Sequence, residues 1–320
     1  MLGFLAITSL ILAYFSWKFV ETPFRDKYRF NRQKIFLFGA IGSAIFIVIG
    51  LIGYLTNGFE YRFTSRQREV IAYESYAYKD VYREDVCLLE RGQSFKTFTE
   101  ACKASVSRDA LLIWGDSHAG ALSFGLRQVF ANVIQYTASG CPPIKDAVVS
   151  WRPYCKGVND FVMREIASKA PAKILLHANW SLYKELDPVR NIHKTIAYIR
   201  SVSPATEITI VGPVPQWAPS LPIVMLNKGI ALDGMHYLGT STLNDLRVID
   251  EELAAEAKKN GVKFMSALKI LCKDEKCLVA TSYRNGVTPT AWDYGHLTEG
   301  GSVYLANKLI EPSVSMSASR

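Results

Sequence analysis

Gly115-Asp116-Ser117, followed by His118, ends a short apolar run, Ala110 to Trp114 (ALLIW). A serine on such a turn sits at the carboxyl end of a strand, with the N-terminus of the next helix directed at any nearby anion. That geometry suits a nucleophile whose attack creates an oxyanion; the competing reading is a serine that only caps the helix. Serine is a poor nucleophile until a base takes its proton, and imidazole is the usual base. Far downstream, Trp292-Asp293-Tyr294-Gly295-His296-Leu297-Thr298 supplies one. Asp293, three residues before His296, is near enough to hold the imidazole N–H, fix its tautomer and stabilise the imidazolium. The spacing predicts a Ser117–His296–Asp293 set for acyl chemistry; otherwise it is a solvated loop before a helix capped by Thr298.

Weaker candidates surround these three. Asp116 and His118 flank the serine and are expected to touch substrate, His118 alternatively capping the helix. Trp180 and Trp292 flank the expected site and offer faces on which a sugar ring stacks, although core packing explains them, and Trp217, equally well. His177 ends a strand, and alternation turns it away from Asn179. His193 and His236 have no partner motif and read as surface residues. No metal-ligand spacing appears, and a serine mechanism requires no metal.

The elements that must position these residues alternate in type. Apolar runs read as strands at Ala110–Trp114, Val133–Ala138, Lys173–His177 (KILLH), Glu207–Val211 (EITIV) and Val262–Met265. Helical spacing follows at Ala119–Phe130, Val248–Asn260 and Gly300–Ile310. Such alternation predicts an α/β fold, a doubly wound parallel sheet with helices on both faces, whose site lies at the carboxyl ends of the strands. Phe59 to Val86 is rich in tyrosine and charge without clean periodicity. It reads as a linker that packs onto the domain as an extension, the domain beginning near Asp85.

Two apolar stretches precede all of this. Ile35 to Tyr54 (IFLFGAIGSAIFIVIGLIGY) has no charged residue and is long enough to cross a membrane as a helix. Its small residues Gly39, Gly42, Ser43 and Gly50 would let another helix approach closely. Met1 to Val20 is a second stretch, without the basic start or cleavage site of a signal peptide. Of the formal net charge of +8, Met1 to Glu60 carries +3, and five of its six basic residues fall between Arg25 and Lys34. A short basic loop stays in the cytoplasm, which places everything after about Asn57 outside it. The absence of a later basic run or a recognisable module argues against nucleic-acid binding. Six cysteines fall in local pairs: Cys87 with Cys102, Cys141 with Cys155, Cys272 with Cys277. Three disulfides in an oxidising compartment is one reading, ordinary buried thiols the other; the outward orientation favours the first.

Two resemblances follow. Gly115-Asp116-Ser117 together with Asp293-x-x-His296 near the chain end resembles the SGNH (GDSL) hydrolases; Ala119, where an α/β-hydrolase elbow has glycine, argues against that relative. The resemblance implies a flavodoxin-like SGNH fold. It also implies an oxyanion hole made by the Ser117 amide, the Gly140 amide of Ser139-Gly140-Cys141, and the Asn179 side chain. The usual G-x-N-D block departs here to Ala178-Asn179-Trp180. Phe15-Ser16-Trp17-Lys18-Phe19-Val20-Glu21-Thr22-Pro23-Phe24-Arg25 is similar to the S-(Y/W)-x-x-(I/V)-E-x-P-x-R ending of acyltransferase family 3 membrane domains. These sometimes continue into a further helix and an extracytoplasmic SGNH domain.

The expected organisation is therefore the end of that membrane domain over residues 1–24, a cytoplasmic loop over 25–34, and a transmembrane helix over 35–55. A periplasmic linker over 56–85 and an SGNH domain over 86–320 complete it. What the resemblance implies is an inner-membrane O-acetyltransferase acting on envelope polysaccharide such as lipopolysaccharide O-antigen. Acetyl-CoA would be the upstream donor through the membrane domain, and the SGNH domain itself would hold no cofactor. The alternatives are a periplasmic carbohydrate esterase and a non-catalytic module that presents carbohydrate.

Overall fold

The computed structural model describes residues 2–25, 31–56, 58–103 and 110–310. The chain divides into two compact units, Met1–Thr64 and Ser65–Arg320.

In the first unit, helix Leu2–Ser16 runs through a π-turn, Trp17–Glu21, into a short helix, Thr22–Arg25. The wider turn shows in Thr22, whose N–H and hydroxyl both reach the Trp17 carbonyl. A second helix spans Arg32–Leu55, its start capped by Asn31, which accepts the Lys34 N–H at 2.9 Å. At 1.5 Å per residue its 24 residues extend about 36 Å, enough for a hydrocarbon core. Among the described residues it is the one helix long and apolar enough to cross a membrane, with mean hydropathy 2.7 over its apolar window. None of its side chains is buried. Arg32 and Lys34, expected in a loop, lie on its first turn, because Asn31 satisfies the N-terminal amides there. Lys27, Arg29 and Asn57 lie outside the described residues.

The second unit is built on strands β1 (Leu88–Leu89), β2 (Leu111–Gly115), β3 (Val133–Ala138), β4 (Lys173–His177), β5 (Glu207–Val211), β6 (His236–Leu238), β7 (Lys263–Met265), β8 (Cys272–Lys273), β9 (Lys276–Tyr283) and β10 (Gly286–Pro289). Six form one sheet in the order β1-β3-β2-β4-β5-β7, every pairing parallel. All five residues of β2 are buried, which accounts for its uninterrupted apolar run. Alternate residues feed opposite cores. Leu112 and Trp114 pack with helices Cys155–Lys169, Pro188–Val202 and Leu243–Lys259. Leu111 and Ile113 pack with helices Ser117–Val129 and Glu299–Ile310. The sheet is doubly wound, as the alternating pattern predicted. The chain leaves β2 for β3 on one side and returns to β4 on the other, which makes the carboxyl ends of β2 and β4 the switch point where such folds bind ligands.

Several elements escape the sequence reading, helices Cys155–Lys169 and Pro188–Val202 among them. β1 is only two residues long and adds an edge beside β3. β6, β8, β9 and β10 make a small antiparallel sheet that leads into the Asp293–His296 loop. Within the second unit, residues 65–85 are packed: Val70 and Tyr82 are buried, the latter in the core with helix Ser117–Val129. All three local cysteine pairs are disulfides.

Candidate active site

Each functional side chain arrives from the carboxyl end of a strand of the main sheet or from the loop that crosses it. Gly115 closes β2 and is forced by crowding: a Cβ there would lie 1.7 Å from the His177 carbonyl oxygen of β4. Asp116 then caps helix Ser117–Val129, its Oδ1 accepting the His118 N–H at 2.9 Å. Ser117, the first residue of the helix, keeps an N–H with no intrahelical acceptor.

The Asp293–His296 loop is pinned at both ends. Trp292 N–H donates to the His296 carbonyl at 3.1 Å, and Thr298 N–H to the Thr290 carbonyl at 3.1 Å. Within it, Asp293 divides its two oxygens. Oδ1 accepts the backbone N–H groups of Gly295 (2.9 Å) and His296 (2.7 Å), which shapes the turn. Oδ2 lies 2.7 Å from His296 Nδ1. On the other side of the ring, His296 Nε2 lies 2.7 Å from Ser117 Oγ. With Nδ1–H held by the carboxylate, Nε2 is the lone-pair nitrogen and faces the hydroxyl proton.

The structure brings the three sequence-derived residues into one hydrogen-bonded line, spanning 179 positions of chain. They border a cavity of about 160 Å³ shared with Tyr78, Tyr82, Leu88, Glu90, Ser139 and Trp292. A larger hollow, about 840 Å³, lies at the amino ends of β2, β4, β5 and β7, lined by Leu111, Lys173, Glu207 and Lys263, and holds neither the serine nor the histidine.

Gly140 follows β3 with φ +69°, and a Cβ there would strike the Trp151 ring at 2.1 Å. Both the positive φ and the overlying ring require glycine. Asn179 follows β4. Its Oδ1 accepts from Ser181 Oγ (2.7 Å) and Gln216 Nε2 (2.8 Å), which fixes Nδ2 as the donor end, and Nδ2 donates to Tyr294 Oη at 3.1 Å. The second Nδ2 hydrogen has no acceptor among the described residues.

Three residues expected to touch substrate are turned inward instead. Asp116 is 1% exposed, and its Oδ2 accepts the Asn179 N–H (2.9 Å) and the Tyr183 hydroxyl (2.6 Å). Burial raises its carboxyl pKa, while these hydrogen bonds and that from His118 N–H oppose the shift. His118 is buried, its Nε2 3.1 Å from Tyr294 Oη and its ring centroid 4.6 Å from that of His296. Burial first, then the neighbouring His296 and His177, holds its pKa well below the usual imidazole range. The His118 ring is therefore neutral at neutral pH beside the His296 ring. Trp180 is a core residue, its indole N–H donating to the Val211 carbonyl at 2.8 Å. Trp292 does border the cavity, but Tyr78 covers one face (centroids 5.0 Å, planes 5° apart) and His296 stacks toward it at 6.0 Å. Trp292 thus offers an edge, not a platform. Trp217 and His177 are buried, while His236 pairs with Asp233 near the surface.

Tyr82 supports the loop from outside the motifs. Its hydroxyl donates to the Leu297 carbonyl at 2.6 Å and accepts the Trp292 indole N–H at 2.9 Å. Tyr78 and Tyr82 are four apart on the short helix Tyr78–Tyr82, a spacing visible in the sequence once that segment is read as a helix. The sequence does not single out Glu90 or Ser139; Ser139 follows the last residue of β3, a signal that finds it, whereas Glu90 follows β1, which is too short to be read.

The SGNH domain family, described as fused to AT3 domains, matches residues 86–311. The chain belongs to this family. Among solved structures, this SGNH chain is similar to the periplasmic domain of a lipopolysaccharide acetyltransferase from Salmonella ser. Paratyphi A. The two are 24% identical with a TM-score of 0.63, over 79% of this chain and 100% of the other. A carbohydrate acetylesterase from Sinorhizobium meliloti (14% identity, TM-score 0.40, 63% and 96% covered) and an aryl esterase from M. smegmatis (15%, 0.40, 63% and 96%) are more distant. No curated protein matches the sequence significantly. The SGNH fold expected from the two motifs is the fold observed, and helix Arg32–Leu55, long and apolar enough to cross a membrane, precedes it in the sequence.

Proposed function

We propose that this SGNH domain transfers an acetyl group to a hydroxyl of an envelope polysaccharide such as lipopolysaccharide O-antigen, with Ser117 as the nucleophile. The observation that carries the reading is the Ser117–His296–Asp293 line, 2.7 Å at both links, opening on a cavity.

Ser117 Oγ attacks the acetyl carbonyl as His296 Nε2 takes its proton. The oxyanion that forms faces the Ser117 and Gly140 amides and the Asn179 amide group at the positive end of helix Ser117–Val129. The donor's leaving group departs with the proton from His296, leaving acetyl-Ser117. A sugar hydroxyl then gives its proton to His296 and its oxygen attacks the ester. The second tetrahedral species collapses, and the proton returns from His296 to Ser117. Asp293 orients the ring in both halves. In this reading the acetyl group derives from acetyl-CoA through the membrane part of the protein. Helix Arg32–Leu55 holds the chain in the inner membrane, and the SGNH domain faces the periplasm, where the three disulfides are stable.

The test is the O-acetyl content of surface polysaccharide, by proton NMR, in cells carrying the complete gene with Ser117 or with Ser117→Ala. Loss of acetylation at equal protein level is expected. Unchanged acetylation overturns the role of Ser117 and leaves a presenting module; increased acetylation makes the domain an esterase.

A further inference from the structure

The cavity beside Ser117 carries a carboxylate that the chemistry above does not use. Glu90 stands at the carboxyl end of β1, on the same rim as Ser117, Ser139 and Asn179. Its Oε1 accepts the Ser139 hydroxyl at 2.6 Å, and its Oε2 has no donor among the described residues. Ser139 is itself fixed: its N–H donates to the Leu89 carbonyl at 2.8 Å, and its carbonyl accepts from Arg152 Nε at 2.9 Å. Buried Arg152 also donates to the carbonyls of Arg91 and Gln93 after Glu90 and, at 3.5 Å, to that of Leu89 before it, so the chain on both sides of Glu90 is held. The result is a positioned acceptor with a missing donor.

The charge of the site points the same way. The cavity lining contains two carboxylates, Glu90 and Asp293, and neither lysine nor arginine. Asp293 is engaged by His296. Arg152 lies outside the cavity lining with its N–H groups directed at the carbonyls of Ser139, Arg91 and Gln93, and makes no ion pair with Glu90 among the described residues. Tyr78, Tyr82, Leu88 and the Trp292 edge supply apolar wall. A sugar ring presents hydroxyls on adjacent carbons; with one at His296, its neighbour can donate to a carboxylate beside it.

We propose that Glu90 is an acceptor-binding residue. It takes a hydrogen bond from a hydroxyl next to the one acetylated on an uncharged sugar, and its charge keeps a uronate or phosphate group out of that position. The assignment rests on acyl transfer through Ser117.

The test uses the whole chain in mild detergent, with p-nitrophenyl acetate as donor and methyl glucopyranoside or methyl glucuronide as acceptor. The readout is acetylated glycoside formed per acetate released, a ratio independent of the amount of folded protein. The wild-type chain is expected to acetylate the neutral glycoside in preference to the glucuronide. Glu90→Ala should lower its transfer ratio about 10- to 100-fold, the range for a hydrogen bond to a charged group. Glu90→Gln should abolish the preference for the neutral acceptor. Equal use of both acceptors by the wild type, or an unchanged ratio in Glu90→Ala, overturns the assignment. So does wild-type hydrolysis without transfer to either glycoside; if Ser117→Ala abolishes that hydrolysis, the nucleophile stands and only the subsite falls. Hydrolysis that survives Ser117→Ala overturns the reading beneath it.

Discussion

Asp116 grips Asn179: its Oδ2 accepts the Asn179 backbone N–H at 2.9 Å, tying the turn after β2 to the turn after β4. The residue before the proposed nucleophile thus holds the backbone of the proposed oxyanion donor. Asn179→Ala should lower kcat/KM for ester hydrolysis by about 10²- to 10³-fold, the cost of one oxyanion donor. Asp116→Asn should lower it as well, because one of its N–H partners then meets an NH₂ group. It should also destabilise the fold by about 1–3 kcal/mol. Steady-state kinetics paired with thermal unfolding separates the two; Asp116→Asn with full stability and activity would refute the link.

Asp293 does two jobs with two oxygens, and substitutions should split them. Asp293→Asn retains an Oδ1 for the turn amides but presents the wrong group to His296 Nδ1. Activity should fall about 10⁴-fold with little change in Tm. Asp293→Ala removes the turn acceptor as well and should lose stability in addition. Equal melting temperatures for both variants would show that the turn does not depend on Oδ1.

Burial pushes the His177 pKa down to about 4, against a smaller opposing contribution from its hydrogen bond to the Val211 carbonyl. The unfolded chain binds this proton near pH 6.5 and the folded chain does not until about pH 4. Stability is therefore fully present above about pH 6.5 and lost as the pH falls toward 4, by about 3 kcal/mol for this group. Unfolding midpoints measured across that range should flatten in His177→Gln; an identical slope would assign the acid sensitivity elsewhere.

The Cys141–Cys155 bond joins the turn carrying Gly140 to the start of helix Cys155–Lys169, across 14 positions. A closed loop of this size contributes about 3 kcal/mol through the unfolded state. Cys141→Ser with Cys155→Ser should unfold at correspondingly lower denaturant. It should also weaken catalysis if the disulfide holds the Gly140 amide in place. Unaltered kinetics would confine its role to stability.

What the sequence makes legible here is what is locally coded. The nucleophile turn needs Gly115 because β2 and β4 crowd it, and the acid and base sit within four residues of each other, so both motifs survive without any knowledge of the fold. The uninterrupted apolar run of β2 reports a strand buried on both faces. The Asn179 block looked wrong only because its neighbours answer to packing: Ala178 is fully buried and Trp180 satisfies its indole inside the core. Roles that depend on distant partners left no trace. β1 is too short to show a period, the inward turn of Asp116 and His118 depends on β4 and on Tyr294, and Val70 and Tyr82 are single buried residues in an otherwise polar stretch.

Tyr82 has a consequence for where this domain starts. The family match begins at residue 86, but the hydroxyl that steadies the Leu297 carbonyl and the Trp292 indole comes from before it. The matched segment and the physical unit have different edges. A cut along the first would pass through the wall of the cavity, removing Tyr78 and Tyr82 while leaving Gly115-Asp116-Ser117 and Asp293-x-x-His296 in place.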